Sequence, residues 1–223
     1  MNLWLSGIYD LATFNYLKTL GIQKFSFDFR PRSLTFIQEH KMQEIISSSG
    51  ESTHQYHFIF ENEKDFVIDK IMNEMQTKRV SSSINEFSME FTGKGTAQDF
   101  DKFKLPYYWH YSTQVSHLSF LNSHFFKGYI FHTDDLEYMS RQGDLYHFFK
   151  SLFENVKGQN KKIEIVLYIN EEMSLPKSII DFFPFDSIIL PITSKVETSY
   201  RNININVLHD HIRLVEQMVG LSF

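Results

Sequence analysis

His132 is followed at once by Thr133, Asp134 and Asp135, which sets an imidazole that titrates near neutrality beside two carboxylates. This group could exchange protons with a ligand or contact it, with Glu90 or Asp134 as partner, or it could be a hydrogen-bonded polar rim. Ser6, in Trp4-Leu5-Ser6-Gly7, carries a hydroxyl that is a poor base at neutral pH unless another group assists it. It reads either as a ligand contact or as a small residue where space is short. His57, Glu61, Glu90, His110, His132 and Asp134 offer the donor types of a metal site, yet no His-x-His or His-Glu-x-x-His spacing links them. No metal is therefore expected there.

Other runs admit a sharp reading beside a plain one. Thr92-Gly93-Lys94-Gly95-Thr96 lacks the Gly-x-x-x-x-Gly-Lys-Ser/Thr spacing of a phosphate loop and fits a strand-to-helix turn. Tyr107-Tyr108-Trp109-His110-Tyr111 could stack a ring-bearing ligand, or pack as core on one face and against a helix on the other. Phe182-Phe183-Pro184-Phe185 reads as core and helix termination. His209-Asp210-His211 falls on a helix, where adjacent residues point apart, and is expected to face solvent.

The candidates sit at the ends of short strand-like blocks. These are Leu3–Gly7, Lys24–Pro31, Tyr56–Asn62, Phe87–Gly93, Tyr107–Ser112, Tyr129–Thr133, Ile163–Asn170 and Ile188–Ser194. Helical stretches follow them: Leu11, Phe14, Leu17 and Leu20 recur at helical spacing, then come Phe36–Ile46, the stripe Phe66, Ile68, Ile71, Met72 and Met75, and Asp99–Phe103. Further helices are expected near Ser116–Phe126 and over Leu145–Val156, Leu175–Phe183 and Val207–Val219. A polar link is expected at Arg79–Ser83, and a long loop through Gly143, lying over the mouth, after the sixth strand. Eight alternating units in this length predict a parallel sheet closed into a single (β/α)8 TIM barrel, one α/β domain over 1–223. In that fold chemistry collects where strands end.

The chain has 223 residues, 42% of them hydrophobic and 16% aromatic, enough for a large core. A net charge of -5 with scattered Lys and Arg argues against a nucleic-acid surface, which needs a basic face. The absence of cysteine excludes disulfides, thiolate catalysis and Cys-ligated zinc. No apolar run approaches the ~20 residues of a membrane span, and strand-like sequence begins at once, without the features of a secretory leader. A cytoplasmic protein with no membrane partner is expected, of undetermined oligomeric state.

Read in order, six strand ends resemble phosphoribosylanthranilate isomerase, the barrel enzyme of tryptophan biosynthesis. The matching segments are Trp4-Leu5-Ser6-Gly7-Ile8, Phe29-Arg30-Pro31-Arg32-Ser33, Ile59-Phe60-Glu61-Asn62, Glu90-Phe91-Thr92-Gly93, Ile130-Phe131-His132-Thr133 and Thr193-Ser194-Lys195-Val196-Glu197-Thr198. The resemblance implies a small-molecule ligand, phosphorylated in the family, and no cofactor. It also implies that Ser6 stands where the family's isomerase has a cysteine base and His132 where it has an aspartate acid. Thr92 replaces a histidine and Thr35 an arginine. Tyr168-Ile169-Asn170 and Lys195 replace glycines of the phosphate cradle.

These replacements imply loss of the parent Amadori isomerisation, leaving a ligand-binding or regulatory barrel or altered chemistry at the same mouth. The alternatives are a true isomerase with reassigned acid and base, and a barrel that serves only as an interaction module. His132 and Ser6 are the candidate catalytic groups, and Arg30, Arg32, Glu90, Thr92, Asp134, Ser194 and Lys195 the candidate ligand contacts.

Overall fold

In a computed structural model of the protein, residues 1–49, 54–78, 86–113, 118–158, 162–173 and 177–220 are described. Eight parallel strands close on themselves: β1 (Asn2–Ser6), β2 (Lys24–Asp28), β3 (Gln55–Phe60), β4 (Glu86–Phe91), β5 (Tyr107–His110), β6 (Phe126–His132), β7 (Glu164–Tyr168) and β8 (Ser187–Pro191). Pairing of β1 with both β2 and β8 shuts the barrel, with Ser6 beside Ser26 on one side and Pro191 on the other. This is the expected (β/α)8 barrel.

The helices are α1 (Leu11–Thr19), α2 (Glu39–Ser47), α3 (Asp65–Lys78), α4 (Ala97–Asp101), α5 (Leu118–Leu121), α6 (Thr133–Gln142), α7 (Leu145–Lys157), α8 (Lys177–Phe182) and α9 (Ile205–Val219). Their starts follow from local chemistry. The Asp10 side chain accepts from the Thr13 N–H at 2.8 Å and caps α1, Thr96 and Asp99 form a capping box on α4, and Asn204 caps α9. Among the described residues no helix is long and apolar enough to cross a membrane.

Three expectations are corrected. The loop expected through Gly143 is helix α6, which buries only Thr133, Leu136 and Met139, a stripe too thin to show as an apolar period. Asp134 and Asp135 suit its first turn and Arg141 its last, and Gly143 ends it in the left-handed region at φ 80°. The helix expected to run to Phe126 stops at Leu121, because Phe126 opens β6 beside Tyr107. After β8 a 3-10 turn at Ser194–Val196 leads into a small antiparallel hairpin, β9 (Glu197–Ser199) with β10 (Asn202–Ile203), that was not foreseen. The link at Arg79–Ser83, together with Gly50, Ser116, Lys161 and Leu175, lies outside the described residues.

Two cores result from strand alternation. Outward residues of the strands and inward residues of the helices form the larger one, dominated by aromatic rings. Phe25, Tyr56 and Phe87 stack in sequence across β2, β3 and β4, and Phe29, Phe60, Phe91 and Phe100 pack in a row two layers up, beyond Phe27, Phe58 and Met89. The run at Tyr107–Tyr111 divides the same way: Tyr107, Trp109 and Tyr111 join this outer layer, while Tyr108 and His110 face the barrel axis. Inside, Trp4, Tyr108, Ile130, Val166 and Ile189 make a small separate cluster.

Candidate functional site

The carboxyl ends of the strands surround a cavity of about 340 Å³. Ser6, Asp28, His132, Tyr168 and Pro191, the last residues of five strands, line it together with Arg30, Thr35, Asp134 and Asn170. Gly7 lets β1 turn away at once: its φ is 85°, and a Cβ there would lie 2.7 Å from Thr35. The hairpin closes one side, for Tyr9 donates to Glu197 at 2.5 Å and Arg201 reaches the Phe36 carbonyl at 2.7 Å while lying over the Tyr9 ring.

A continuous hydrogen-bonded chain enters this cavity from the barrel interior. The Trp4 indole donates to the Ser26 hydroxyl, which donates to Glu90 Oε1 at 2.6 Å. Glu90 Oε2 lies 3.1 Å from His110 Nε2, and His110 Nδ1 lies 2.8 Å from His132 Nε2. His132 packs on Tyr168 with ring centroids 4.5 Å apart, and Tyr168 lines the cavity with Ser6.

Burial sets the protonation of this chain, since it penalises whichever form is charged. Glu90, fully enclosed, is pushed up to about 8, against the opposing pull of Ser26 and Arg30. His110 is lowered to about 3, first by burial and then by the Arg30 charge; His132 is lowered to about 3 by burial, by His110 and by Arg30. At neutral pH the chain is thus a carboxylic acid and two neutral imidazoles.

The second feature is a bidentate ion pair. Arg30 Nε and Nη2 reach Asp28 Oδ1 and Oδ2 at 2.9 and 2.6 Å, and Thr35 lies 3.4 Å from the same carboxylate. Burial works against the Arg30 charge, but the bonds to Asp28 outweigh it and hold the guanidinium more firmly protonated. On the opposite wall Asn170 Nδ2 donates to Asp134 Oδ1 at 2.6 Å, and the Asn170 N–H donates to Thr133 Oγ1 at 3.1 Å. The lining therefore carries Asp28, Asp134 and Glu171 against one guanidinium already paired.

Of the residues singled out from sequence, Ser6, Arg30, His132 and Asp134 line the cavity, and Glu90 lies behind it, joined to His132 through His110. Arg32, Ser194 and Lys195 are exposed outside the lining. Thr92 also lies outside it, 3.4 Å from the Phe60 carbonyl. His57 is remote: it binds Ser88 at 2.6 Å, stacks on Trp4 and lines a second cavity of about 250 Å³ at the other end of the barrel. His209 pairs with Tyr16 on α1 at 2.6 Å and is only half-exposed. Among the described residues no group of three His, Asp or Glu is arranged to hold a metal. Asp28, His110 and Tyr168 were missed as site residues; the signal for them was strand alternation, which turns every second residue inward.

No family model and no curated protein matches the sequence. Solved structures do match it in shape. Phosphoribosylanthranilate isomerase from Thermotoga maritima superposes with a TM-score of 0.66 at 17% identity, covering 99% of this chain and 100% of that one. TrpF from Jonesia denitrificans gives 0.67 at 8% identity over 99% and 98% of the two chains. A phosphoribosylanthranilate isomerase in complex with reduced 1-(o-carboxyphenylamino)-1-deoxyribulose 5-phosphate gives 0.65 at 17% identity over 99% and 100%. At such identities the likeness speaks to architecture, and along its whole length this chain has the barrel fold of the phosphoribosylanthranilate isomerases.

Proposed function

We propose that this barrel binds a small polar molecule at its mouth and does not carry out the isomerisation of its structural neighbours. The observation that carries this reading is the state of the two groups at the positions where the resemblance places base and acid. Ser6 lines the cavity, and among the described residues no basic group is hydrogen-bonded to its hydroxyl to activate it. His132 is a neutral imidazole at physiological pH, so it holds no imidazolium proton to deliver. An Amadori rearrangement needs one group to remove a proton and another to supply one, and only the His132 position holds a group able to exchange a proton.

The lining also bears on the ligand. A phosphate would meet three carboxylates and one guanidinium whose charge is already paired with Asp28. Hydroxyl or amino groups fit better, since Asp28, Asp134, His132 and Tyr168 can bond them. The ligand class is therefore a neutral or cationic polar molecule, such as an unphosphorylated sugar or amino sugar. An isomerase with reassigned groups is favoured by one observation, the hydrogen-bonded chain that delivers His132 to the cavity, and this second reading predicts turnover.

The test pairs binding with turnover on the purified protein. Titration calorimetry with unphosphorylated pentoses and amino sugars should give saturable heat that His132→Ala and Asp28→Ala abolish. The phosphorylated analogue bound by the structural neighbour should give none, and freshly generated phosphoribosylanthranilate should not be consumed. Consumption dependent on His132 would replace this reading with the isomerase.

A further inference from the structure

We infer that Glu90, His110 and His132 form a single-proton relay that decides whether the mouth presents a hydrogen-bond donor or an acceptor to its ligand. This rests on the reading of the mouth as a ligand site, and it specifies the chemistry of that site through two residues, Glu90 and His110, that do not line it.

The geometry leaves two self-consistent arrangements. His110 uses both ring nitrogens in the chain, Nε2 toward Glu90 and Nδ1 toward His132 Nε2. A neutral imidazole has one N–H and one lone pair, so the direction of one bond dictates the direction of the next. With Glu90 protonated, its O–H donates to His110 Nε2, His110 Nδ1–H donates to His132 Nε2, and the proton of His132 sits on Nδ1, the nitrogen left for the cavity. Removing one proton inverts every bond. It leaves from His132 Nδ1, His132 Nε2 takes the proton of His110 Nδ1, and His110 Nε2 takes the proton of Glu90. Glu90 is then a carboxylate, and His132 offers a lone pair to the cavity. One proton is lost to solvent and neither imidazole becomes charged.

The surroundings permit both states. Ser26 from β2 donates to Glu90 Oε1 and is itself held by Trp4 from β1, so one carboxyl oxygen is an acceptor throughout. Arg30 on the loop after β2 favours the carboxylate, and Asp28 at the end of β2 opposes it. Tyr168 from β7 packs against both histidines, and Asp134 from α6 is the carboxylate acting on His132. Burial keeps both imidazoles from becoming cationic, which is what confines the chain to these two arrangements. In the protonated arrangement the mouth selects a ligand with an oxygen acceptor facing His132. In the other it selects a hydroxyl or ammonium donor at the same place.

Long-range proton–nitrogen NMR on protein with nitrogen-15 histidine reads the tautomers directly and needs no ligand. Between pH 6 and 9.5 the signals of His110 and His132 should move from Nδ1–H to Nε2–H together, with one midpoint and no imidazolium signature. Glu90→Gln should hold both in one tautomer throughout. Independent transitions, or unchanging wild-type tautomers, would overturn the relay, and the wild-type titration decides this alone if Glu90→Gln does not fold. Coupled switching in a protein that binds none of the polar ligands would leave the relay standing and reject the ligand reading instead, so the two failures are distinct.

Discussion

The two faces of strands β2 to β5 carry opposite chemistry. Outward, Phe25, Phe27, Phe29, Tyr56, Phe58 and Phe60 stack edge to edge beneath the helices, all at most 5% exposed. Inward, the residues between them are Ser26, Asp28 and His57 with one apolar exception, Ile59, and on β4 and β5 Ser88, Glu90 and His110 follow; the polar ones are buried too, each tied to a polar partner. The far side of the barrel interior, β6 to β8, returns to Ile130, Val166 and Ile189. One layer is held by apolar area, which is tolerant of direction; the other is held by hydrogen bonds, which are not. A site can be built only from the second kind, because only directional partners fix where a proton lies.

Substitutions should separate these layers. The largest effect is expected outside: Phe58→Ala removes a fully buried ring and should cost about 3–5 kcal/mol in urea denaturation, with the tautomers of His110 and His132 unchanged in the folded fraction. Inside, Glu90→Leu leaves Ser26 and His110 without their shared partner. It should cost about 1–3 kcal/mol, less than the ring, and should abolish the pH-dependent switch of the two histidines.

The pH dependence sharpens the contrast further. Glu90 holds its proton more tightly folded, at about 8 against an ordinary 4.5, so its contribution is complete below 4.5 and is lost as pH rises through 8. His110 and His132 hold theirs less tightly, at about 3 against 6.5, and His57 is lowered likewise by burial and Lys24. The contribution of His110 and His132 is present above 6.5 and lost on acidification toward 3, and that of His57 is likewise lost on acidification below 6.5. Stability should therefore peak near pH 6.5, where the three imidazoles no longer gain and the carboxyl alone still loses. The free energy of unfolding should fall, by at most about 2 kcal/mol, between pH 6.5 and 8, and Glu90→Gln should flatten that alkaline limb while leaving the acid limb in place. The smallest effects are expected at Arg32→Ala and Lys195→Ala, exposed and outside the cavity lining. Both should stay within about 0.5 kcal/mol and leave ligand heats unchanged.

The same contrast explains what could be seen in the sequence. The outer layer announced itself, because Phe25-Ser26-Phe27 shows the strand period directly and Phe58-Ile59-Phe60 is a short apolar run between polar flanks, and eight such blocks in order gave the closed barrel. Ser6, His132 and Asp134 were legible as mouth residues because strand ends locate them. The partner of His132 was not. Glu90 and Asp134 were the candidates, yet His110 stands between Glu90 and His132, on a different strand 22 residues away in sequence, and only barrel closure brings β4, β5 and β6 side by side. Arg30 looked like an anion contact because Asp28, two residues earlier, gave no sign of folding back onto its guanidinium. Helix α6 escaped notice since its buried face is three residues wide, and the hairpin after β8 since five residues of strand carry no period.

The central claim, that the barrel keeps the architecture of an isomerase without its proton chemistry, is tested most directly by turnover. Freshly generated phosphoribosylanthranilate would be followed by loss of its anthranilate fluorescence with purified, folded protein, beside His132→Ala and a protein-free control. The account predicts the same spontaneous decay in all three. Consumption proportional to enzyme concentration, abolished by His132→Ala, would contradict it and make His132 the proton carrier of a working isomerase.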